Sequence, residues 1–285
     1  MRILFLSLVL LISFPAIASR TLVSKIHDID VGLPGEKVLV FLSTGDVVST
    51  SQANLTLLEN LQSGKSTNKW FEFTITKSRE IKRIVPVTKP TYVFDENAKA
   101  LQDIDLDTYI PTTVKDFATA KRYMAESRRT VKEETQCFNR AMVWVYEWWR
   151  KHSLRSNKVF IFWSKDYVRS VGFKWWFHVS PYIHVVDPDG NIVERTLDVK
   201  YTSRPYEFQD WADYHSWKDT KCMVITKYSE YADYPYGNGC YFYRANMFTY
   251  QPADLEMNEA WGYTKNAFNM QEVKGAYLEA FDIQL

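Results

Sequence analysis

The run Thr135-Gln136-Cys137-Phe138-Asn139-Arg140-Ala141, continuing through Met142-Val143-Trp144-Val145-Tyr146-Glu147-Trp148-Trp149, constrains this chain most. Phe138, Ala141, Met142, Val145 and Trp149 fall at i, i+3, i+4, i+7 and i+11, the spacing of one apolar helix face. Glu133, Glu134 and Thr135 stand before it, offering an N-cap and acidic charge near the first turn. Cys137 therefore belongs to the first turn of a buried helix. There the unpaired backbone N–H groups and the positive dipole end favour thiolate over thiol, as a nucleophile requires. The competing reading is a small buried hydrophobe, as many free cysteines are.

A chain of 285 residues, 46% hydrophobic and 24% charged, can bury a substantial core in one large or two modest domains. Lys+Arg 35 against Asp+Glu 34 leaves no basic excess, which speaks against nucleic acid and against a polybasic membrane patch. Residues 1–18 read as a secretory signal peptide: Arg2, an apolar run from Ile3 to Phe14, and the small-x-small site Ala16-Ile17-Ala18. No later stretch reaches membrane-spanning length, so the expectation is a secreted or periplasmic protein without membrane contact after signal removal. In that compartment Cys222 and Cys240, 18 apart, are candidates for a disulfide. Cys137 is then the odd thiol, and an unpaired thiol under oxidising conditions calls for a reason.

Residues 19–88 read as a small α+β accessory or pro-domain. Strands are expected at Lys37–Leu42, Asp46–Ser49, Trp70–Ile75 and Ile81–Val87. A helix over Gln52–Leu61 would put Leu55, Leu58 and Leu61 on one side and stop at Gly64-Lys65. Residues 89–112 lose periodicity and read as a linker, and 113–285 as the catalytic domain. A polar helix over Asp116–Arg128 leads towards Cys137, with Lys121, Arg122, Arg128 and Arg129 as a solvated face. Strands follow at Val159–Trp163, Phe173–Val186 and Ile192–Asp198, and a last helix near Asn258–Leu278. A helix followed by antiparallel strands makes an α+β fold.

A thiol nucleophile needs a base in hydrogen-bond reach, and the base an orienting group. Of the five histidines, His27 lies in the first unit, His152 ends the cysteine's own helix, and His215 cannot be placed. His178 and His184 share a strand. If Pro188-Asp189-Gly190 is a three-residue hairpin loop with glycine as the bulge, Asp187 pairs with Asn191 and Ser180 with Asp198. His178 and Asp198 then share a face as diagonal neighbours, about 7 Å apart at Cα. A two-residue loop would flip Asp198 to the other face. His184 is ~20 Å along the strand from His178, and no close Cys/His spacing supports a metal.

These residues also carry a resemblance. Cys137-Phe138-Asn139-Arg140-Ala141, Phe177-His178-Val179-Ser180-Pro181 and Thr196-Leu197-Asp198 resemble the Cys, His and Asp blocks of bacterial protein-glutaminases. The blocks stand 41 and 20 residues apart at their functional members, and the resemblance covers roughly residues 110–256. It departs at Val199, where the family usually has Pro, and at Ser180, where Ala is common. The resemblance implies a papain/transglutaminase-like core with Cys137, His178 and Asp198 as catalytic residues and no cofactor or metal. It implies a secreted protein-glutamine deamidase, forming glutamate and ammonia through a Cys thioester on proteins or peptides with exposed glutamine. Family members are made as pro-enzymes, so the first unit is a candidate intramolecular inhibitor. A transglutaminase or a papain-like cysteine peptidase would use the same three residues, and a non-catalytic secreted binding protein would keep only the fold.

Overall fold

The computed structural model describes residues 19–88, 111–129, 135–216, 220–232, 237, 239–262 and 264–285. The expected signal peptide, Glu133, Glu134 and nearly all of the expected linker lie outside the described residues.

The amino-terminal unit comprises β1 (Arg20–Asp30), β2 (Lys37–Leu42), β3 (Val47–Ser51), helix α1 (Leu55–Ser66), β4 (Trp70–Ile75) and β5 (Ile81–Val87). The five strands form one antiparallel sheet in the order β3-β2-β1-β4-β5. The central strand, β1, escaped the sequence reading. Its inward positions are Leu22, Ser24 and Ile26, and the buried serine breaks the apolar alternation. The register slips by one residue between Ile26 and Asp28, which leaves His27 in a bulge. Helix α1 starts at Asn54, whose side chain caps Leu57 N–H, and buries Leu57 and Leu61 while Leu55 is exposed. Gly64 does not stop it. The helix lies so close to β4 that a Cβ on Gly64 would come within 2.6 Å of the Phe71 ring.

The second sheet contains β6 (Thr113–Val114), β7 (Asn157–Trp163), β8 (Phe177–Val186), β9 (Ile192–Thr196), β10 (Cys222–Ile225) and β11 (Cys240–Asn246). Its order is β10-β11-β7-β8-β6, with β9 also on β8. The central pairs are antiparallel, as expected, but β6 on β8 and β10 on β11 are parallel. A parallel partner arrives from far along the chain and leaves no hairpin signal. Cys222 and Cys240 face each other across β10 and β11 and are disulfide-bonded.

Seven helices accompany this sheet among the described residues: α2 (Phe117–Glu126), α3 (Cys137–His152), α4 (Lys165–Val171), α5 (Phe208–His215), α6 (Ser229–Ala232), α7 (Pro252–Trp261) and α8 (Met270–Phe281). The expected long last helix is two, divided after Gly262, which caps α7 in the left-handed conformation. Helix α3 packs on β8 and α8 and is buried continuously from Cys137 to Trp148, well beyond one apolar face. Its buried Glu147 accepts from Arg128 at 2.6 Å, Tyr277 at 3.0 Å and Lys151 at 3.2 Å. Arg128 is exposed, as the expected solvated face requires, while also partnering this buried carboxylate, and exposed Arg129 donates to the Val199 carbonyl at 3.2 Å.

Candidate active site

Cys137 is the first residue of α3, and Gln136 takes the N-cap position with extended backbone. Thr135, a candidate cap in the sequence, instead accepts Arg140 Nη1 at its Oγ1 (2.7 Å) and at its carbonyl. Arg140 is buried one turn below the thiol, with its guanidinium 5.4 Å from the Tyr201 ring centre.

The opposite wall comes from β8 and from the segment just after β9. The hairpin closes as a three-residue loop: Asp187 N–H donates to the Asn191 carbonyl at 2.9 Å, and Gly190 has φ +86°. Tyr182 faces Thr196 in the last pair of β8 and β9, the register that the three-residue loop requires. Leu197 N–H still donates to the Pro181 carbonyl at 2.8 Å before the chain turns away. His178 Nε2 and Asp198 Oδ2 lie 2.7 Å apart, both almost fully buried. The sulfur of Cys137 is reached by the backbone N–H of Val179, the neighbour of His178. Helix and strand thereby bring Cys137, His178 and Asp198 to one place. His184 is not among them: it pairs with Glu194 and Thr113 further along β8.

Two residues that the sequence reading missed complete the surroundings of Asp198. Trp211 Nε1 donates to Oδ2 at 3.0 Å, and His215 Nε2 lies 3.2 Å from the same oxygen. Both come from α5, four positions apart, hence on one helix face, and that spacing was the available signal. His178, Asp198 and His215 bring three potential metal ligands within 4.8 Å of one another. However, both imidazoles and the indole converge on one oxygen at hydrogen-bond distances, which describes a carboxylate clasped by donors.

The site is covered by the amino-terminal unit, through the turn Ser43-Thr44-Gly45-Asp46 between β2 and β3. Asp46 and Trp175 form an antiparallel bridge. Val47 N–H donates to the Lys174 carbonyl at 2.9 Å, and Trp176 N–H to the Gly45 carbonyl at 3.1 Å. Gln136 Nε2 donates to Asp46 Oδ2 at 3.1 Å. Behind the turn, Trp176 Nε1 donates to the Leu42 carbonyl at 2.8 Å, and His27 stacks on the Trp176 ring at 4.2 Å. Arg169 and Lys165 pair with Asp30 and Asp28 at the rim. What remains between Thr44, Gly45, Gln136, Cys137, His178 and Tyr201 is a cavity of 20 Å³, room for about one water. A glutamine side chain does not fit.

Burial sets the electrostatics of this closed state. It pushes the Cys137 thiol up to about 11, against the pull of the Arg140 charge and two backbone N–H groups. The thiolate expected from the helix terminus is therefore not favoured here, because desolvation outweighs the dipole. Burial also lowers His178 to about 4, against the attraction of Asp198. Asp198 is itself held below the usual carboxylate range: burial opposes its ionisation, and the two imidazoles outweigh it. At neutral pH the covered site holds a neutral thiol, a neutral imidazole and a carboxylate.

Fold and site together define an α+β protein in which a helix-borne thiol meets a strand-borne imidazole–carboxylate pair beneath a covering unit. Residues 113–215 match the model of a family described as glutaminase. Among solved structures, the chain is similar to the crystal structure of the A47Q2 mutant of pro-protein-glutaminase, with a TM-score of 0.52 at 11% identity over 92% of this chain and 94% of that one. A crystal structure of pro-protein-glutaminase matches with a TM-score of 0.48 at 12% identity over 90% and 92% of the two chains. The NMR structure of protein-glutaminase from Chryseobacterium proteolyticum matches with a TM-score of 0.33 at 14% identity over 50% and 77%. No curated protein matches the chain. Residues 113–215 thus resemble the glutaminase family, and the chain as a whole shares the fold of pro-protein-glutaminase. The first of these likenesses runs through both units, so it reaches beyond the 110–256 stretch that the sequence blocks covered.

Proposed function

We infer that this protein is a protein-glutamine deamidase, a hydrolase that converts glutamine side-chain amides to glutamate with release of ammonia. The observation that carries the reading is the meeting of Cys137 with the His178–Asp198 pair inside the segment that matches the glutaminase model. Cys137 sulfur attacks the γ-carboxamide carbon, and the carbonyl pair moves onto oxygen. Asp198 occupies one imidazole edge of His178 at Nε2, leaving Nδ1 to take the thiol proton and pass it to the departing ammonia. Water then attacks the thioester with His178 as base, and glutamate leaves. The substrate is a protein or peptide presenting an exposed glutamine, and the roles of the three residues are part of this proposal.

In the same reading the amino-terminal unit is a pro-segment that keeps the enzyme latent by placing the turn at 43–46 over the thiol. What supports this is the filled cleft together with the neutral thiol and imidazole it enforces. Departure of the turn admits water, relieves the desolvation that holds both groups neutral, and allows the thiolate–imidazolium pair to form. The signal-like residues 1–18 and the disulfide support a secreted or periplasmic site of action. Among the described residues no helix is long and apolar enough to cross a membrane.

The test is ammonia release from a glutamine-containing protein, with intact mass, by the full chain before and after limited proteolysis. Wild-type protein should release ammonia after proteolysis, and little before it, without shortening the substrate, and Cys137→Ala should release none in either state. New substrate termini would point to a peptidase, incorporation of an added amine to a transglutaminase, and inertness of both proteins to a binding role.

A further inference from the structure

We propose that the side-chain amide of Gln136 is the second oxyanion donor of this site, and that Asp46 sequesters it in the full chain. The inference deepens the deamidase reading and rests on it. When the sulfur–carbon bond forms, the carbonyl π pair moves to oxygen, and that charge must be met by donors already in place. The Cys137 N–H at the open end of α3 supplies one. The other must come from the cleft wall.

The polar side chains lining the cleft leave few candidates. Thr44 belongs to the covering turn and departs with it. Arg140 is engaged by Thr135 and lies against Tyr201, which it also bonds. His178 is committed to proton transfer. The Val179 N–H is already taken by the Cys137 sulfur. This leaves two side-chain N–H donors among the described lining residues, Gln136 and Trp175. Gln136 stands at the N-cap, yet its side chain caps nothing. Its Nε2 instead reaches across the cleft to a carboxylate oxygen at 3.1 Å. The amide therefore already binds an anion beside the amino end of α3, where the helix dipole also favours negative charge. Asp46 is 3% exposed and is held in that position by Arg79 at 2.5 Å and by Thr44 Oγ1 at 3.1 Å. Asp46 is part of the turn that fills the cleft, so the movement that uncovers the thiol also frees the amide.

The experiment uses the full chain nicked between its two units, with both fragments retained, in four forms: unsubstituted, Gln136→Ala, Gln136→Glu and Trp175→Phe. Ammonia release is measured as kcat and KM. Alkylation of Cys137 by iodoacetamide, a displacement that builds no oxyanion, reports the folded site and its thiolate. Both Gln136 variants should lose on the order of 10²-fold in kcat, with KM and alkylation nearly unchanged in Gln136→Ala, and Trp175→Phe should keep its kcat. A kcat within about threefold of the parent in both Gln136 variants would overturn the proposal. So would alkylation falling in step with kcat in Gln136→Ala, or the loss appearing in Trp175→Phe instead. A parent whose Cys137 is alkylated but which releases no ammonia sinks the deamidase reading, and the proposal with it, which is distinguishable from loss in the variants alone.

Discussion

Asp198 is the most constrained residue of the site, since one buried carboxylate oxygen receives His178, Trp211 and His215. Removing the pair from this oxygen should matter more than the size of the change suggests. Asp198→Asn should cost about 10³- to 10⁴-fold in kcat, by analogy with other orienting carboxylates, because the imidazole loses its fixed tautomer. His215→Phe removes a donor and places a ring where a second imidazole stood, so a smaller fall is expected, with the acidic limb of the pH–rate profile displaced. An unchanged profile in His215→Phe would assign that histidine to packing alone. The sequence made the His178–Asp198 pair legible because Pro188-Asp189-Gly190 determined the register and the register determined the face. It hid His215 and Trp211, since nothing local says which strand end a short helix will cover.

At the scale of elements, the turn between β2 and β3 carries the contact that closes the site. Gly45 has φ +92°, and a Cβ there would lie 3.0 Å from the Phe177 ring. Gly45→Ala should therefore loosen the docked turn by about 1–2 kcal/mol and speed Cys137 alkylation in the intact chain. Equal alkylation rates in the two proteins would show that the turn does not gate the thiol. The β1 bulge makes a second, pH-dependent contact. His27 is buried against Trp176, and burial lowers it from 6.5 to about 4, with Asp28 opposing and Lys65 and Lys165 adding to the shift. The folded pKa is depressed, so below 6.5 an unfolded or undocked His27 takes up a proton that the docked one refuses. Stability should fall as pH drops from 6.5 towards 4, by about 3 kcal/mol at the low end. Hydrogen exchange in β1 across that window should show the loss, and His27→Phe should abolish this component. A His27→Phe protein with the parent's pH dependence would remove His27 from the account. Neither contact was legible in the sequence, because both turn on which surface of the first unit meets the second.

For the whole molecule, the two sheets play unequal parts. The second carries His178 and supports the Cys137 helix, and its strands β10 and β11 are tied by Cys222–Cys240, 18 residues apart. Reduction of that bond should lower stability by about 3 kcal/mol while leaving Cys137 buried, and unchanged thermal unfolding after reduction would contradict this. The first unit read in sequence as an accessory or pro-domain without a catalytic constellation and as a candidate intramolecular inhibitor. Its role is contact: Phe41 and Val47 share a core cluster with Cys137 and Phe177, so cover and catalyst are packed as one body. The α+β class and the order of the main elements could be read from periodicity and turn chemistry. The parallel edge strands, the docking of the units and the closed cleft depend on long-range contacts that periodicity does not encode.

The central claim is that Cys137 forms an acyl-enzyme with a glutamine side chain and that water resolves it. The most direct measurement is the intact mass of a glutamine-rich test protein after reaction in heavy-oxygen water, with ammonia counted in parallel, for wild-type and Cys137→Ala protein after limited proteolysis between the two units. The account predicts one heavy oxygen gained per ammonia released, no fragmentation, and no change with Cys137→Ala. Ammonia released equally by Cys137→Ala, or heavy oxygen found only at newly cut termini, would contradict it.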